Sequence, residues 1–509
     1  TPDGELVVYR KTQGGNHTPR TWSQEPGLYK VDIKGKQNSK ISADGYQAQF
    51  GANADRIFFM NSSEDETPQL SSINLDGFDK RVHYSSKHAT EFRVSPDGEQ
   101  LAFAERFKVW VTPFAKHGET VEIGPNASNL PVSQLSARAG ESISWNSKSD
   151  QLYWTLGPEL YQAKVDTQYF NKDEKAQPSI IDLGFTEKAD VPRGTIAFVG
   201  GKVITMENDQ VIDNGVVIVK DNHIVAVGDA NVAIPKDAQI IDIKGKSIMP
   251  GLFDAHAHGP QADDEIVPQQ NWALYSGLSL GVTTIHDPSN DTTEIFAASE
   301  QQKAGNIVGP RIFSTGTILY GANAPGYTSH IDSLDDAKFH LERLKKVGAF
   351  SVKSYNQPRR NQRQQVIAAA RELEMMVVPE GGSLLQHNLS MVADGHTTIE
   401  HSLPVGSIYN DIKQFWSQTQ VGYTPTLVVA YGGISGENYW YDKTDVWAHP
   451  RLSMYVPADI LQARSMRRPH APESHYNHFN VAKVANELNK LGVHPNIGAH
   501  GQREGLAAH

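Results

Sequence analysis

Cysteine is absent from all 509 residues. That excludes disulfides, thiolate nucleophiles and cysteine-held zinc or iron–sulfur sites, so any metal must be bound by His, carboxylate or modified Lys. It leaves the compartment open, since cytosolic and periplasmic chains alike can lack the residue. No run of eighteen or more apolar residues occurs, so no membrane span is expected. Basic residues are outnumbered, 47 Lys plus Arg against 58 Asp plus Glu, and the net charge of -11 argues against nucleic acid as a partner. What is present is the balance of an ordinary globular protein, 39% hydrophobic and 21% charged, together with 20 His. The length implies two or three domains.

Residues 1–187 read as short strands behind polar turns. Pro2-Asp3-Gly4 leads into Glu5-Leu6-Val7-Val8-Tyr9, and Ala52-Asn53-Ala54-Asp55 into Arg56-Ile57-Phe58-Phe59. Ser95-Pro96-Asp97-Gly98 precedes Gln100-Leu101-Ala102-Phe103, and Asn146-Ser147-Lys148-Ser149-Asp150 precedes Gln151-Leu152-Tyr153-Trp154. Turn then β-rich strand, at a period of roughly 45–50 residues, is blade-sized for a β-propeller. The chain opens at Thr1 inside a turn and stops at His509, so an N-terminally incomplete propeller and a C-terminally incomplete last domain are expected.

Residues 188–249 change to a small sheet of strands, among them Thr195–Val199, Lys202–Met206, Gly215–Val219 and His223–Gly228. From 250 to 509 strand-like and helix-like segments alternate, as a parallel (β/α)8 TIM barrel requires. Eight strands are expected: Ile248–His256, Val282–Asp287, Arg311–Gly316, Ser351–Tyr355, Met375–Glu380, Thr397–His401, Thr424–Ala430 and His494–His500. Helical spacing is clearest over Leu334–Val347 and Gln362–Leu373. In such a barrel chemistry sits where strands end. His256 and His258, two residues apart, project from one face of the first strand and can share an ion. Lys353 lies in the fourth strand, Glu380 ends the fifth, His401 the sixth and His500 the eighth. His286 ends the second strand and Tyr355 and Arg359 follow the fourth, as candidate substrate contacts. Tyr431–Tyr441 reads as a long loop able to wall a pocket, and the basic run Arg464–Arg468 as a solvated linker.

The stretch Pro250-Gly251-Leu252-Phe253-Asp254-Ala255-His256-Ala257-His258, with Ser351-Val352-Lys353-Ser354-Tyr355 and Ile399-Glu400-His401, resembles the amidohydrolase superfamily, in particular its imidazolonepropionase-like and dipeptidase-like members. The N-terminal turns resemble a TolB-like propeller. The resemblance implies a β-propeller, then a small β-sandwich segment, then the barrel. It implies one or two divalent ions per chain, Zn2+ foremost with Mn2+ or Fe2+ as alternatives. A carboxylated Lys353 would bridge two ions, one on His256 and His258 and the other on Glu380 and His401. It also implies a periplasmic or secreted protein acting on a small-molecule or peptide substrate at a C–N bond. The sequence departs from the family's pattern at two places. Glu380 stands where a His is usual, and His500 where many relatives have Asp. His500 is therefore open as ligand or as general base, with His509 a second candidate base.

Two other readings stand beside this one. A propeller in front of a serine peptidase needs a G-x-S-x-G elbow, and none occurs. A catalytically inactive propeller and barrel, binding a protein partner or forming a homo-oligomer, is kept open by the substitutions at 380 and 500.

Overall fold

The computed structural model of the protein describes residues 1, 3–12, 24–116, 118–137, 140–165, 177–262, 265–322 and 328–500. It is multidomain and strand-rich, and the first part consists of four sheets, antiparallel except where Val121–Glu122 joins the second in parallel. The first holds Leu6–Lys11, Gly27–Asp32 and Asn38–Ser42. The second holds Tyr46–Phe50, Arg56–Ser62, Pro68–Asn74 and Arg81–Ser85, with Val121–Glu122 alongside. The third holds Ala89–Val94, Gln100–Glu105, Lys108–Pro113 and Ser133–Gln134, and the fourth Glu141–Trp145, Gln151–Leu156, Glu159–Lys164 and Ser179–Asp182. The expected turns at 52–55, 95–98 and 146–150 each open their strand, and Pro2 of the first lies outside the described residues. At Ser95 the hydroxyl accepts from Gln100 N at 2.9 Å and donates to Asp97 at 2.5 Å, the local closure that Ser and Asp supply in turns. Successive sheets share cores: Met60, Leu70, Tyr84, Phe92 and Phe103 between the second and third, and Ala102, Val109, Leu152 and Trp154 between the third and fourth.

One hairpin tip in the third sheet breaks the usual turn chemistry. Arg106 and Phe107, between Gln100–Glu105 and Lys108–Pro113, have φ of 51° and 62°. Two-residue hairpins demand positive φ, and Asn-Gly meets that demand cheaply. A side chain beyond Asn or Asp held there costs roughly 1–2 kcal/mol per residue.

The small sheet runs in the order His223–Gly228, Val211–Lys220, Thr195–Ile204, Gln239–Asp242, with Ser247–Ile248 pairing the far end of Thr195–Ile204. The two strands expected over 195–206 are therefore one. The register shifts at Gly200, whose φ of 84° lets the strand bulge without ending.

From Leu252 all ladders are parallel. Leu252–Asp254, Val282–Asp287 and Arg311–Ser314 form one sheet; Ser351–Ser354 pairs Met376–Pro379, and Thr398–Glu400 pairs Gly422–Thr424. Single bridges link Leu319 to Ser354, Glu380 to Glu400 and Tyr423 to Pro495. Ala255 N then donates to Ile497 O at 2.8 Å, and His500 N to His256 O at 2.8 Å, so main-chain contacts return to the first strand. Helices intervene, among them Leu334–Lys346 and Arg360–Glu372, close to the spans expected. The former starts on a capping box between Ser333 and Asp336. No helix among the described residues is long and apolar enough to cross a membrane.

Several sequence expectations are corrected here. The first strand begins at Leu252, because Ser247–Ile248 belongs to the small sheet. The seventh ends at Thr424; Thr426 turns left-handed (φ 42°) and Leu427–Val429 is a single 3-10 turn. The eighth is reduced to the bridge at Pro495, a residue with no N–H for a ladder. Gly436–Lys443 is helical where a loop was expected, and Ala458–Met466 is a helix that takes in part of the basic run.

His396, just before the sixth strand, carries a stability prediction. Burial pushes its pKa down to about 4, while its Nδ1–H donates to Met391 O at 3.0 Å. A folded pKa below the unfolded one means that the native state resists protonation. The contribution is complete above about pH 6.5 and is lost as pH falls towards 4, by at most about 3 kcal/mol. Unfolding midpoints at pH 7 and 4.5 should therefore differ less in His396→Gln than in the parent. An identical difference would refute the assignment.

Candidate metal centre

His256, Lys353, Glu380 and His401 lie at a parallel strand's C-terminal end or just past it, His258 and His500 lie in the segments beyond, and four imidazoles meet there. The His256 ring lies 5.0 Å from His258, 4.9 Å from His401 and 5.1 Å from His500, centroid to centroid. His256, His401 and His500 each offer a ligand atom, all within 4.8 Å of one another. Gly498 permits this convergence, since a Cβ there would stand 2.8 Å from His256 Cβ. His401 and His500 reach the cluster from left-handed backbone, with φ of 68° and 64°.

His256 is fully buried, and its Nδ1 lies 2.5 Å from Glu400 Oε2. Glu400 is itself buried and also accepts from the Thr398 hydroxyl. Burial raises the Glu400 pKa to about 7, against the lowering effect of Lys353 and its hydrogen bonds. Burial, then the neighbouring Lys353 and imidazoles, holds His256 well below its ordinary value. A neutral His256 donating Nδ1–H to Glu400 keeps its lone pair on Nε2, which is buried and has no partner. That orphaned acceptor, aimed among two other imidazoles, fits a divalent cation.

Around this core, His258 Nδ1 lies 3.1 Å from Asp287 Oδ1. Asp254 Oδ1 accepts from His256 N at 3.2 Å and Ala499 N at 3.0 Å, clamping the first strand to the last. Glu380 lies between Lys353 and His401, its two oxygens 2.7 Å from Lys353 Nζ and 2.9 Å from His401 Nε2. Burial would raise the Glu380 pKa, but Lys353 and His401 outweigh it and hold the carboxyl well below the usual range. The other His401 nitrogen, Nδ1, meets Thr426 Oγ1 at 2.9 Å. Burial, then repulsion from His258 and His401, lowers His500 to about 3. Tyr431 lies 6.0 Å from His401 ring to ring, and Tyr355 packs edge-on to Tyr320. Burial, then the Glu380 charge, raises both phenols, Tyr431 to about 12. Beside His258 a cavity of about 60 Å³ opens, walled by Trp272, Leu274, Leu452 and Leu461.

Not every candidate joins the cluster. His286 is buried, with Nε2 2.8 Å from Ser351 Oγ and its ring 5.8 Å from that of Phe350, outside the group of four imidazoles. Arg359 is exposed and ion-paired with Asp332 at the start of the helix Arg360–Glu372. His509 lies outside the described residues. Sequence reasoning missed Glu400, Asp287, Asp254 and Thr426, although Asp254 and Glu400 stand inside the stretches that pointed to their neighbours.

No family model matches the chain. A 63-residue stretch is 36% identical to a 5-methylthioadenosine/S-adenosylhomocysteine deaminase of Bacillus thuringiensis (strain Al Hakam), covering 12% of this chain and 14% of that protein. A 77-residue stretch is 35% identical to an imidazolonepropionase of Alkaliphilus metalliredigens (strain QYMF), covering 14% and 18%. The chain thus spans under a fifth of the length of these two relatives. Among solved structures, a Xaa-Pro dipeptidase with bound methionine superposes at TM-score 0.42 and 16% identity, over 60% of this chain and 79% of that one. Molinate hydrolase does so at 0.43 and 16%, over 62% and 73%.

Proposed function

We propose that the chain is a metal-dependent amidohydrolase, with a TolB-like propeller over 1–187, a small β-sandwich segment over 188–249 and a (β/α)8 barrel over 250–509. One observation carries the reading: His256 Nε2 is buried, unpartnered and turned towards His401 and His500, with its tautomer fixed by Glu400. The short deaminase and imidazolonepropionase matches agree with it. A divalent ion held there, Zn2+ foremost with Mn2+ or Fe2+ as alternatives, supplies Lewis acidity and brings the pKa of water from ~15.7 towards roughly 7.

The chain's own groups divide the remaining work. Their weak basicity suits Glu380 and His500 to ligation better than to proton abstraction, so His500 is assigned as a ligand. Glu400 has the pKa of a base but stands behind His256, where it orients the ring. Lys353 as an ammonium has no lone pair to offer a cation; it neutralises Glu380. Carboxylation would turn it into a bridge for a second ion beside Glu380 and His401. Tyr355 and Tyr431 stay protonated and donate to the oxyanion that develops as a C–N bond is attacked. The apolar cavity beside His258 suits a substrate with an apolar substituent, such as a peptide or other amide.

The test is elemental analysis of the purified protein together with a hydrolysis screen of dipeptides and small amides. One or two divalent ions per chain are expected, with turnover that stops on chelation, and Arg359→Ala should leave both unchanged. A protein with neither ions nor turnover would be the inactive binding protein instead.

A further inference from the structure

The N-terminal sheets meet the C-terminal part at several places, one of them the strained hairpin tip. Phe107 is 4% exposed, although it sits at a turn. Its ring is covered by the Arg343 guanidinium, 3.7 Å from the ring centroid, and met edge-on by His340 at 5.5 Å. Both partners lie on the helix Leu334–Lys346 of the C-terminal part. Arg106 beside it donates to Thr328 O at 3.4 Å and contacts His88 Nε2 at 2.8 Å. Non-glycine residues are held at positive φ only when their surroundings over-determine them, and here the surroundings come from both halves: Phe107 packs into the core of its own sheets with Val109, Leu135 and Trp154 as well as under Arg343 and His340.

The contacts continue inward. Arg343, 1% exposed, donates from Nη2 to Ser329 Oγ at 3.0 Å. Ser329 N donates to Ile318 O, and Tyr320 N to Ser329 O, each at 2.9 Å. Leu319 lies directly against the strand that carries Lys353: its N–H donates to Lys353 O, and its carbonyl accepts from Tyr355 N, both at 2.9 Å. Gln357 Nε2 donates to the same carbonyl at 2.8 Å. Tyr320 then packs on Tyr355, whose phenol faces Glu380's charge.

We propose that Phe107 is a positioning residue for the mouth of the centre. Its ring fixes a desolvated Arg343, Arg343 fixes Ser329, and Ser329 holds Ile318–Tyr320 against Lys353 and Tyr355. The turn would form at lower cost with Asn-Gly, but only a bulky side chain at its second position reaches Arg343 and His340 across the boundary. The catalytic meaning of this path rests on the hydrolase reading; the mechanical path does not.

Hydrogen exchange of the full chain separates the two. In Phe107→Ala the amides of Leu319, Tyr320, Ser329 and Tyr355 should exchange about tenfold faster, while those of Val216–Ile218 in the small sheet keep their rates. Metal content should stay at the parent level, kcat should fall more than KM rises, and Phe107→Tyr should restore parent behaviour. Should Phe107→Ala fail to fold, Arg106→Ala, which removes only the tip's polar contacts, should give the same pattern at about threefold. Unchanged exchange at Leu319 and Ser329, or a uniform rise that includes the small sheet, overturns the proposal. Absence of metal and turnover from the unmodified protein overturns the hydrolase reading instead, and leaves the exchange result standing.

Discussion

Replacing His256 by alanine is expected to lower metal affinity by more than about 100-fold, the largest loss of any single substitution in the molecule. The reason is geometric. His256 has its inward lone pair secured by a buried carboxylate on the opposite side, Glu400 at 2.5 Å, whereas His401 has only the Thr426 hydroxyl there. Removing the ring deletes the ligand and also leaves Glu400 a buried acid without its donor. Removing Glu400 alone should cost less. Partners of that kind typically contribute 10–100-fold in affinity, and a glutamine can still accept Nδ1–H through its amide oxygen. Glu400→Gln is thus expected near the lower end and Glu400→Leu near the upper. Competition against a chelator, with circular dichroism to check folding, measures both. Parent-like affinity in His256→Ala would end the metal reading.

The second large effect concerns stability. Lys353 is 1% exposed and pairs with Glu380 at 2.7 Å, so each charge is tolerated because of the other. Lys353→Met alone leaves the half-buried Glu380 carboxylate with His401 only, and breaking a buried pair from one side costs up to about 3–5 kcal/mol. Lys353→Met with Glu380→Leu removes both charges and should cost far less than the two single changes added together. The coupling is read from unfolding midpoints of metal-free protein in a double-mutant cycle. Additive costs would mean that the pair is not a unit and that Glu380 is held ionised by something else.

These partners mark where sequence reasoning stopped. The candidate ligands at strand ends were placeable because strand ends are legible: β-rich runs closing on His256, Glu380 and His401 need no tertiary knowledge, whereas His500 follows only the bridge at Pro495. Lys353 was legible for the same reason. The groups that tune them were not. Glu400 precedes His401 directly, and in a straight strand adjacent side chains face opposite ways, so both could not be assigned to one centre. The left-handed turn at His401 brings them to it together. Asp287 was passed over for His286 by the same ambiguity of one residue, and alternation sent His286 down to Ser351. Arg359 failed for a different reason. Spacing places a residue after a strand but not the direction in which its loop leaves, and Asp332 on the surface claims it. The strand boundaries at 424 and 495 were misread because Thr426 and Pro495 act through backbone geometry that an apolar pattern does not register.

The left-handed backbone at His401, Thr426 and His500 has an evolutionary consequence. Glycine or asparagine would occupy those positions with less strain, so selection for folding alone would favour replacing them. A lineage freed from any need for the imidazole cluster would be expected to discard His401 and His500 early, gaining robustness as it did so.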